Sequence, residues 1–568
     1  MDHNRAPVSR LPSFAIRDSR PILAALALLL SPIGCSAPPV PAPTPPVVES
    51  AALRRVRQVF ARIPETLARN HKTFDGPSGP VSGFGAGEAY PQIWLRDSAW
   101  IVDAAAAYYT PETLTSWLDL HLAHAQKNGR LRDWVARGSP DAFRQWAPRV
   151  EGNGGFAFDT NTNESDQEPS AAIAFCRTSA RLSDGSASGE AHAWRVGKLI
   201  AAMDALSRDR TDAKSGLVWS GLTADWGDVS PLYPDQRAIY LDAKTPRTLS
   251  LYSNVMAYEA LRCLAGLEVP AAKRAAYQAK AARLKERIRS AFWMKDRGYF
   301  RIRRPLDRAP LAFGAPEDER FALGGNALAA LFGVADDAEA ASIFETAERL
   351  RKANDFKTVS TTLIPPYPEG TFQHPAMREA SRYQNGGQWD WFGAALVQAE
   401  FERGHSQQAR AHLDQIAARI LRAGPGLHEW YGQDGTPQGS AAYAASAAAI
   451  HNAVVKGLFG VTSGPLGYVV TIRAGETVLP FEVPQRAAGG AVVLEQRVTE
   501  AAVEVTVRGV GAIREICTVL PQGRTIAETG SEGAAGRTVT RLGGDTTVCA
   551  DVSSSRPPVS VSFALARP

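Results

Sequence analysis

The sequence predicts a mainly α-helical domain, built as a ring of paired helices, followed by a small all-β domain. Three observations carry that expectation. Apolar residues recur at helical spacing in long segments between residues 51 and 460. The aromatic, amide and acidic residues gather in the loops between those segments. Beyond Gly460 the pattern changes to short alternating or β-branched runs separated by glycine-rich turns.

At 568 residues the chain exceeds one ordinary domain, so two or more are expected. With 45% hydrophobic and 21% charged residues it has the balance of a globular chain rather than a disordered or membrane-embedded one. The formal net charge is +5, but 63 basic and 58 acidic residues are interspersed, and no block of like charge points to nucleic acid.

Residues 1–50 are set apart from the folded part. Arg17 and Arg20 precede an apolar run, residues 21–33, that ends at Gly34 and Cys35. A charged stretch before an apolar run too short for a stable membrane helix is expected of an export signal. Gly34-Cys35 is similar to the lipobox of bacterial lipoproteins, although Pro32 stands where leucine is usual. A plain secretory signal is the alternative. The expectation is an exported protein, either periplasmic or anchored in the outer membrane through a lipidated Cys35. The proline-rich residues 37–46 read as a tether.

Cys176, Cys263, Cys517 and Cys549 lack CxxC spacing, which argues against a zinc site. Cys517 and Cys549 share the C-terminal region and are candidates for a disulfide in an oxidising compartment.

Helices are expected over residues 191–207, 250–267, 271–292, 325–332, 387–403 and 406–421, with glycine, proline and aspartate clusters between them. No repeat of about 34–47 residues marks a TPR or HEAT array. Long helices joined pairwise, with the chemistry confined to loops, suit hairpins arranged in a ring. Strands are expected over 468–473, 491–498, 502–507 and 559–564, enough for an accessory β-sandwich of about 100 residues.

Four loop motifs carry the chemistry. Trp94-Leu95-Arg96-Asp97-Ser98 opens a helix; an aromatic ring beside a carboxylate suits a sugar face and its hydroxyls, while a capping aspartate is the plain reading. Residues 159–170 hold Asn161, Asn163, Glu164, Asp166 and Glu168, either a solvated turn or a wall of hydroxyl-binding groups. Asp225-Trp226-Gly227-Asp228 puts carboxyls next to an aromatic surface, whose desolvation raises a carboxyl pKa as a general acid needs; a tight turn is the alternative. The fourth motif is split between Tyr383-Gln384-Asn385-Gly386-Gly387-Gln388-Trp389-Asp390-Trp391 and Gly426-Leu427-His428-Glu429-Trp430-Tyr431. Glu429 among aromatics is poorly explained as a surface residue, whereas Trp389 and Trp391 also fit core packing.

In this order the loops resemble those of the six-hairpin (α/α)6 glycosidases, which include trehalases, processing α-glucosidases and glucoamylase-like enzymes. Trp94-Leu95-Arg96-Asp97 looks like their W-x-R-D sugar-binding motif. Asp225-Trp226-Gly227-Asp228-Val229-Ser230-Pro231 resembles the G-W-D-x-S-P segment of the general acid, with the Trp-Gly order inverted and Asp225 added. Asn385-Gly386-Gly387-x-Trp389 is similar to the N-G-G-x-W helix start, with Asp390 where proline is usual, and Glu429 with Gly435 resembles the general-base loop.

The resemblance, which covers residues 51–460, implies inverting hydrolysis of an α-glucoside-like oligosaccharide. It implies Asp228 as acid, Glu429 as base and Asp225 as reserve acid or tuning partner. Trp94, Arg96, Asp97, Trp226, Asn385, Trp389, Asp390 and Trp430 would hold the carbohydrate, with Asp166 and Glu168 at the same mouth. That chemistry requires no cofactor and no metal. Two other classes stay open: a glycoside phosphorylase, which dispenses with the base carboxylate, and a non-catalytic glycan-binding protein of the outer membrane.

Overall fold

The computed structural model describes residues 48–566, apart from 78, 180–188, 268, 307–315, 465–466, 487–488, 510, 528–536, 554 and 556. The export signal, the tether and Cys35 lie outside the described residues.

Thirteen α-helices occur among the described residues: α1 (Ala51–Phe60), α2 (Ile63–Asn70), α3 (Leu95–Ala105), α4 (Pro111–Ala123), α5 (Gln167–Ser179), α6 (Glu190–Arg210), α7 (Leu251–Gly266), α8 (Ala271–Phe292), α9 (Leu323–Leu331), α10 (Asp337–Ala353), α11 (Asp390–Glu402), α12 (Ser406–Ala423) and α13 (Ala444–Asn452). Helix α3 packs on α5, α5 on α7, α7 on α9, α9 on α11, α11 on α13, and α13 returns to α3. These six form a closed inner ring. Helices α4, α6, α8, α10 and α12 pack outside it, and α1 and α2 complete the outer layer against α12 and α13.

Residue choice explains which helices go inside. Every residue of α3 and α13 is buried, as is every residue of α11 except Glu402. A helix apolar all round has no face to give to water, and the abundance of alanine and glycine lets neighbouring backbones come close. The outer helices carry one buried stripe, as in α8, where Tyr277, Ala281, Leu284, Ile288 and Phe292 are spaced for one face. Helix α1 is capped by the Ser50 side chain on Leu53 N–H, and α10 by a reciprocal Asp336–Glu339 capping box.

Helix α11 starts later than its apolar pattern suggests. Trp389 is extended, with φ −117°, because Gln388 pairs with Tyr431 through backbone hydrogen bonds before the helix begins. The helical domain also contains short strands that are too brief to show an alternation. Four of them, Ile93–Trp94, Trp134–Arg137, Phe156–Asp159 and Glu151–Asn153, join in that order into one sheet.

From Thr462 the regular elements of the described residues are β-strands. A five-stranded and a four-stranded sheet face each other, with Val470, Ile472, Ile516 and Val548 from one and Val492, Val503, Val505 and Phe563 from the other wholly buried. Thr518 bonds across the two sheets to Gln496 at 2.7 Å. Cys517 and Cys549, opposite each other on antiparallel strands, form a disulfide. The sandwich is docked on the outer helices: Arg57 of α1 donates to Pro480 O, and Ser406 of α12 donates to Asp545.

Candidate active site

The motif loops all enter the N-terminal ends of inner helices, and residues from five of them line one cavity of about 360 Å³. Trp94, Arg96 and Asp97 come from the start of α3, and Asn161 and Glu164 from the loop into α5. Trp226 and Asp228 come from the loop before α7, Gln384, Trp389 and Trp391 from the start of α11, and Glu429 and Tyr443 from the approach to α13.

Glu429 is 2% exposed and held from three sides. Its backbone N–H donates to Ser440 O at 2.9 Å, and Ser440 N–H donates to Oε2 at 3.0 Å. The Tyr90 hydroxyl lies 2.9 Å from Oε2 and 3.2 Å from Oε1. Gly439, at φ +66°, closes the cradle: a Cβ there would come within 2.5 Å of Oε2. Burial pushes the Glu429 carboxyl up to about 7, against the lowering effect of the Ser440 and Tyr90 hydrogen bonds, and the charges of Asp97 and Asp228 add to the rise.

Asp228 sits in a different environment. Its side chain is 33% exposed, Oδ1 accepts from Arg96 Nη1 at 2.7 Å, and Oδ2 accepts from Gln384 Nε2 at 2.8 Å. Its backbone N–H donates to Gln384 Oε1. One guanidinium, that of Arg96, also pairs with Glu164 and Asp166, each at 2.6 Å. Five carboxyls of the lining, Asp97, Asp133, Glu164, Asp228 and Glu429, therefore face a single committed arginine. Burial, reinforced by this crowding, raises Asp133 and Glu164 well above the usual carboxylate range and Asp97 to about 6.

Of the residues singled out from the sequence, Trp94, Arg96, Asp97, Trp226, Trp389, Asp228 and Glu429 come together on the cavity wall. The others lie behind it. Asp166, expected at the mouth, is 1% exposed and bonds Arg96 and Tyr252 instead. Glu168 is fully buried against Arg130 and the Leu131 N–H. Asp225, at φ +55°, accepts from Gly325 N–H at 3.1 Å in the first turn of α9, and burial raises its carboxyl to about 6. Asn385 bonds backbone groups of Tyr367 and Met377. Asp390 forms a buried ion pair with Arg419, and Trp430 packs on Tyr383.

The wall also contains residues that the motifs did not single out. Asn161, Glu164, Tyr383 and Gln384 lie inside quoted motifs, whereas Tyr90, Asp133, Trp134, Trp146, His374 and Tyr443 lie outside them. A signal existed for Asp133, because Leu131-Arg132-Asp133 repeats the Leu95-Arg96-Asp97 triplet.

No family model matches the chain, and no curated protein matches it in sequence. Solved structures do match it. A GH63 mannosylglycerate hydrolase from Thermus thermophilus, in complex with glucose, aligns over 69% of this chain and 99% of its own, at 18% identity and a TM-score of 0.52. The helical domain has the six-hairpin glycosidase fold. An α-L-rhamnosidase from Streptomyces avermitilis, complexed with L-rhamnose, aligns over 91% of this chain and 41% of its own, at 14% identity and a TM-score of 0.52. In the six-hairpin fold of this chain the cavity lies among the N-termini of inner helices, whose dipoles favour negative charge at that end. The fold alone assigns no chemistry, which has to come from the side chains.

Proposed function

We propose that the protein is an exported glycoside hydrolase that cleaves a glycosidic bond with inversion, with Asp228 as general acid and Glu429 as general base. One observation carries the reading: two carboxyls from separate loops open onto one tryptophan-lined cavity in unlike environments, Glu429 dry and Asp228 partly wet. Pairs of titratable groups set apart by their surroundings divide acid and base work between them; the desolvation expected at Asp228 falls on Glu429 instead, and the assignment of roles follows the motif resemblance.

In the reaction, Trp94 and Trp146, partly exposed on the wall, offer apolar faces to the sugar ring. Glu429 removes a proton from a water that attacks the anomeric carbon. Asp228 gives a proton to the departing glycosidic oxygen, and the bond between that oxygen and the anomeric carbon breaks. Inversion needs the two carboxyls about 6.5–9.5 Å apart, with the water between Glu429 and the sugar. An α-glucoside-like oligosaccharide is the substrate class suggested by the motif resemblance.

A phosphorylase needs a cation for phosphate, and the arginine of this wall is engaged by three carboxylates. A purely glycan-binding protein has no use for the Glu429 cradle. Assay of an aryl-glycoside and oligosaccharide panel with and without phosphate tests the reading. Free sugar released without phosphate supports it; sugar phosphate formed only with phosphate overturns it, and binding without turnover favours the glycan-binding protein. Export through the N-terminal signal, with Cys35 as anchor, belongs to the same proposal. The chain should fractionate with membranes and the Cys35→Ala form with the soluble periplasm.

A further inference from the structure

Asp133 is the one lining carboxyl whose oxygens make no hydrogen bond to any described residue. It is 5% exposed, and it reaches the cavity. Arg96, close enough to influence it, is bonded to Glu164, Asp166 and Asp228 instead.

Its position is nevertheless fixed from both sides. Asp133 N–H donates to Asp159 O at 2.8 Å, and Asp133 O accepts from Leu95 N–H at 2.9 Å. The residue is thereby clamped between the strands that carry Trp94 and Asp159. Trp134 follows it, 6.0 Å from Trp94 between ring centroids. A carboxyl that opens onto the cavity with no donor from a described residue is open to a donor from a ligand, and here it is held rigidly beside the Trp94–Trp134 pair.

We propose that Asp133 is a specificity-determining residue whose carboxyl receives a hydroxyl or ammonium group of the bound sugar, so that the site takes neutral or amino sugars and rejects sugars bearing a carboxylate. The wall supports the second half of that statement. Its lining cation Arg96 is committed, and burial lowers the pKa of its one histidine, His374, which favours the neutral ring. Among the described lining residues, a carboxylate on the sugar would find five carboxyls and no available cation. The inference rests on the sugar-binding part of the proposed function and not on its catalytic part.

Titration calorimetry on the full chain tests it, with glucose, mannose and galactose, their 2-amino forms and their uronates as probes. The neutral or amino form of at least one parent sugar should bind at least about 10-fold more tightly than its uronate. Asp133→Ala should weaken that binding by about 2- to 10-fold for a neutral sugar and about 10- to 150-fold for an amino sugar, the ranges for neutral and charge-assisted hydrogen bonds. Asp133→Asn keeps the shape and one acceptor but cannot ionise opposite an ammonium group. It should retain neutral sugars while the ratio of amino-sugar to uronate affinity shrinks, and thermal unfolding verifies that both variants fold. Uronates binding as tightly as their parents, an unchanged ratio in Asp133→Asn, or no binding by any probe overturns the inference. Binding as expected without hydrolysis overturns the catalytic reading alone, and hydrolysis indifferent to Asp133 overturns this one alone.

Discussion

The Tyr90 hydroxyl lies 2.9 Å from the nearer carboxylate oxygen of Glu429, although 339 residues separate them in the chain. Tyr90 enters just before α3 and Glu429 just before α13, the two inner helices whose contact closes the ring. The fold therefore joins the first and last loops of the helical domain at the carboxyl proposed as general base.

That hydrogen bond has a kinetic consequence. Glu429, held up to about 7 chiefly by burial, acts as a base only when ionised. Below pH 7 kcat/KM should therefore fall about tenfold per pH unit. Tyr90→Phe removes a bond that favours the carboxylate, so the acidic limb should move up by about one pH unit. KM should change little, since Tyr90 acts through Glu429. A pH profile of kcat/KM for both forms checks this, and an unmoved limb contradicts it.

The two carboxyls should be separable by leaving group. Asp228→Asn removes the proton donor and should lower kcat by about 10²–10⁴ on ordinary glycosides, with recovery on glycosyl fluorides that need no proton. Glu429→Gln should lose as much and not recover, unless azide takes the place of water. Steady-state kinetics on matched substrates measures both. If Asp225→Asn shows the leaving-group pattern instead, the acid is misassigned.

Asp390 should matter for stability rather than for sugar affinity. Its carboxylate pairs with Arg419, which also bonds Gln388 and lies 3.9 Å over the Tyr431 ring, all of them buried. Removing one partner of a buried pair leaves the other uncompensated, at a cost of about 3–5 kcal/mol. Arg419→Met should lower the denaturation midpoint accordingly while KM stays within about twofold. A large rise in KM with unchanged stability would assign Asp390 to the substrate.

A second buried charge sets a pH dependence of folding. Burial alone would lower His412, but Glu400 and Glu348 on either side hold it up at about 9. A raised folded-state pKa means that this stabilisation is complete below the ordinary histidine value, near 6.5, and is lost as pH rises through 9. The thermal midpoint should decline over that window, and His412→Gln should flatten the decline. An identical slope in the variant would show that the imidazolium contributes nothing.

Much of the architecture is legible in the sequence because the period changes from 3.6 to 2 near Gly460, and because α11 and α13 are apolar on every face. The short strands between inner helices are not, since two to four residues cannot display an alternation. The site divides in the same way. Trp94, Asp228 and Glu429 stand in local motifs whose aromatic and acidic residues are conspicuous. Tyr443 reaches the cavity only through tertiary packing, so no local pattern marks it, whereas Asp133 is marked only by the repeated Leu-Arg-Asp triplet. Asp166 and Asp390 look functional in sequence because a buried carboxylate next to an arginine has the same composition as a binding group. Only burial and partners distinguish the two.

The central claim is hydrolysis by a direct water displacement between Asp228 and Glu429. Proton NMR of the first-formed sugar, followed from the start of a reaction on any glycoside the enzyme turns over, tests it most directly. The account expects the anomer opposite to that of the substrate, appearing before mutarotation. Release of the same anomer would mean a covalent glycosyl-enzyme intermediate and would contradict the base role of Glu429.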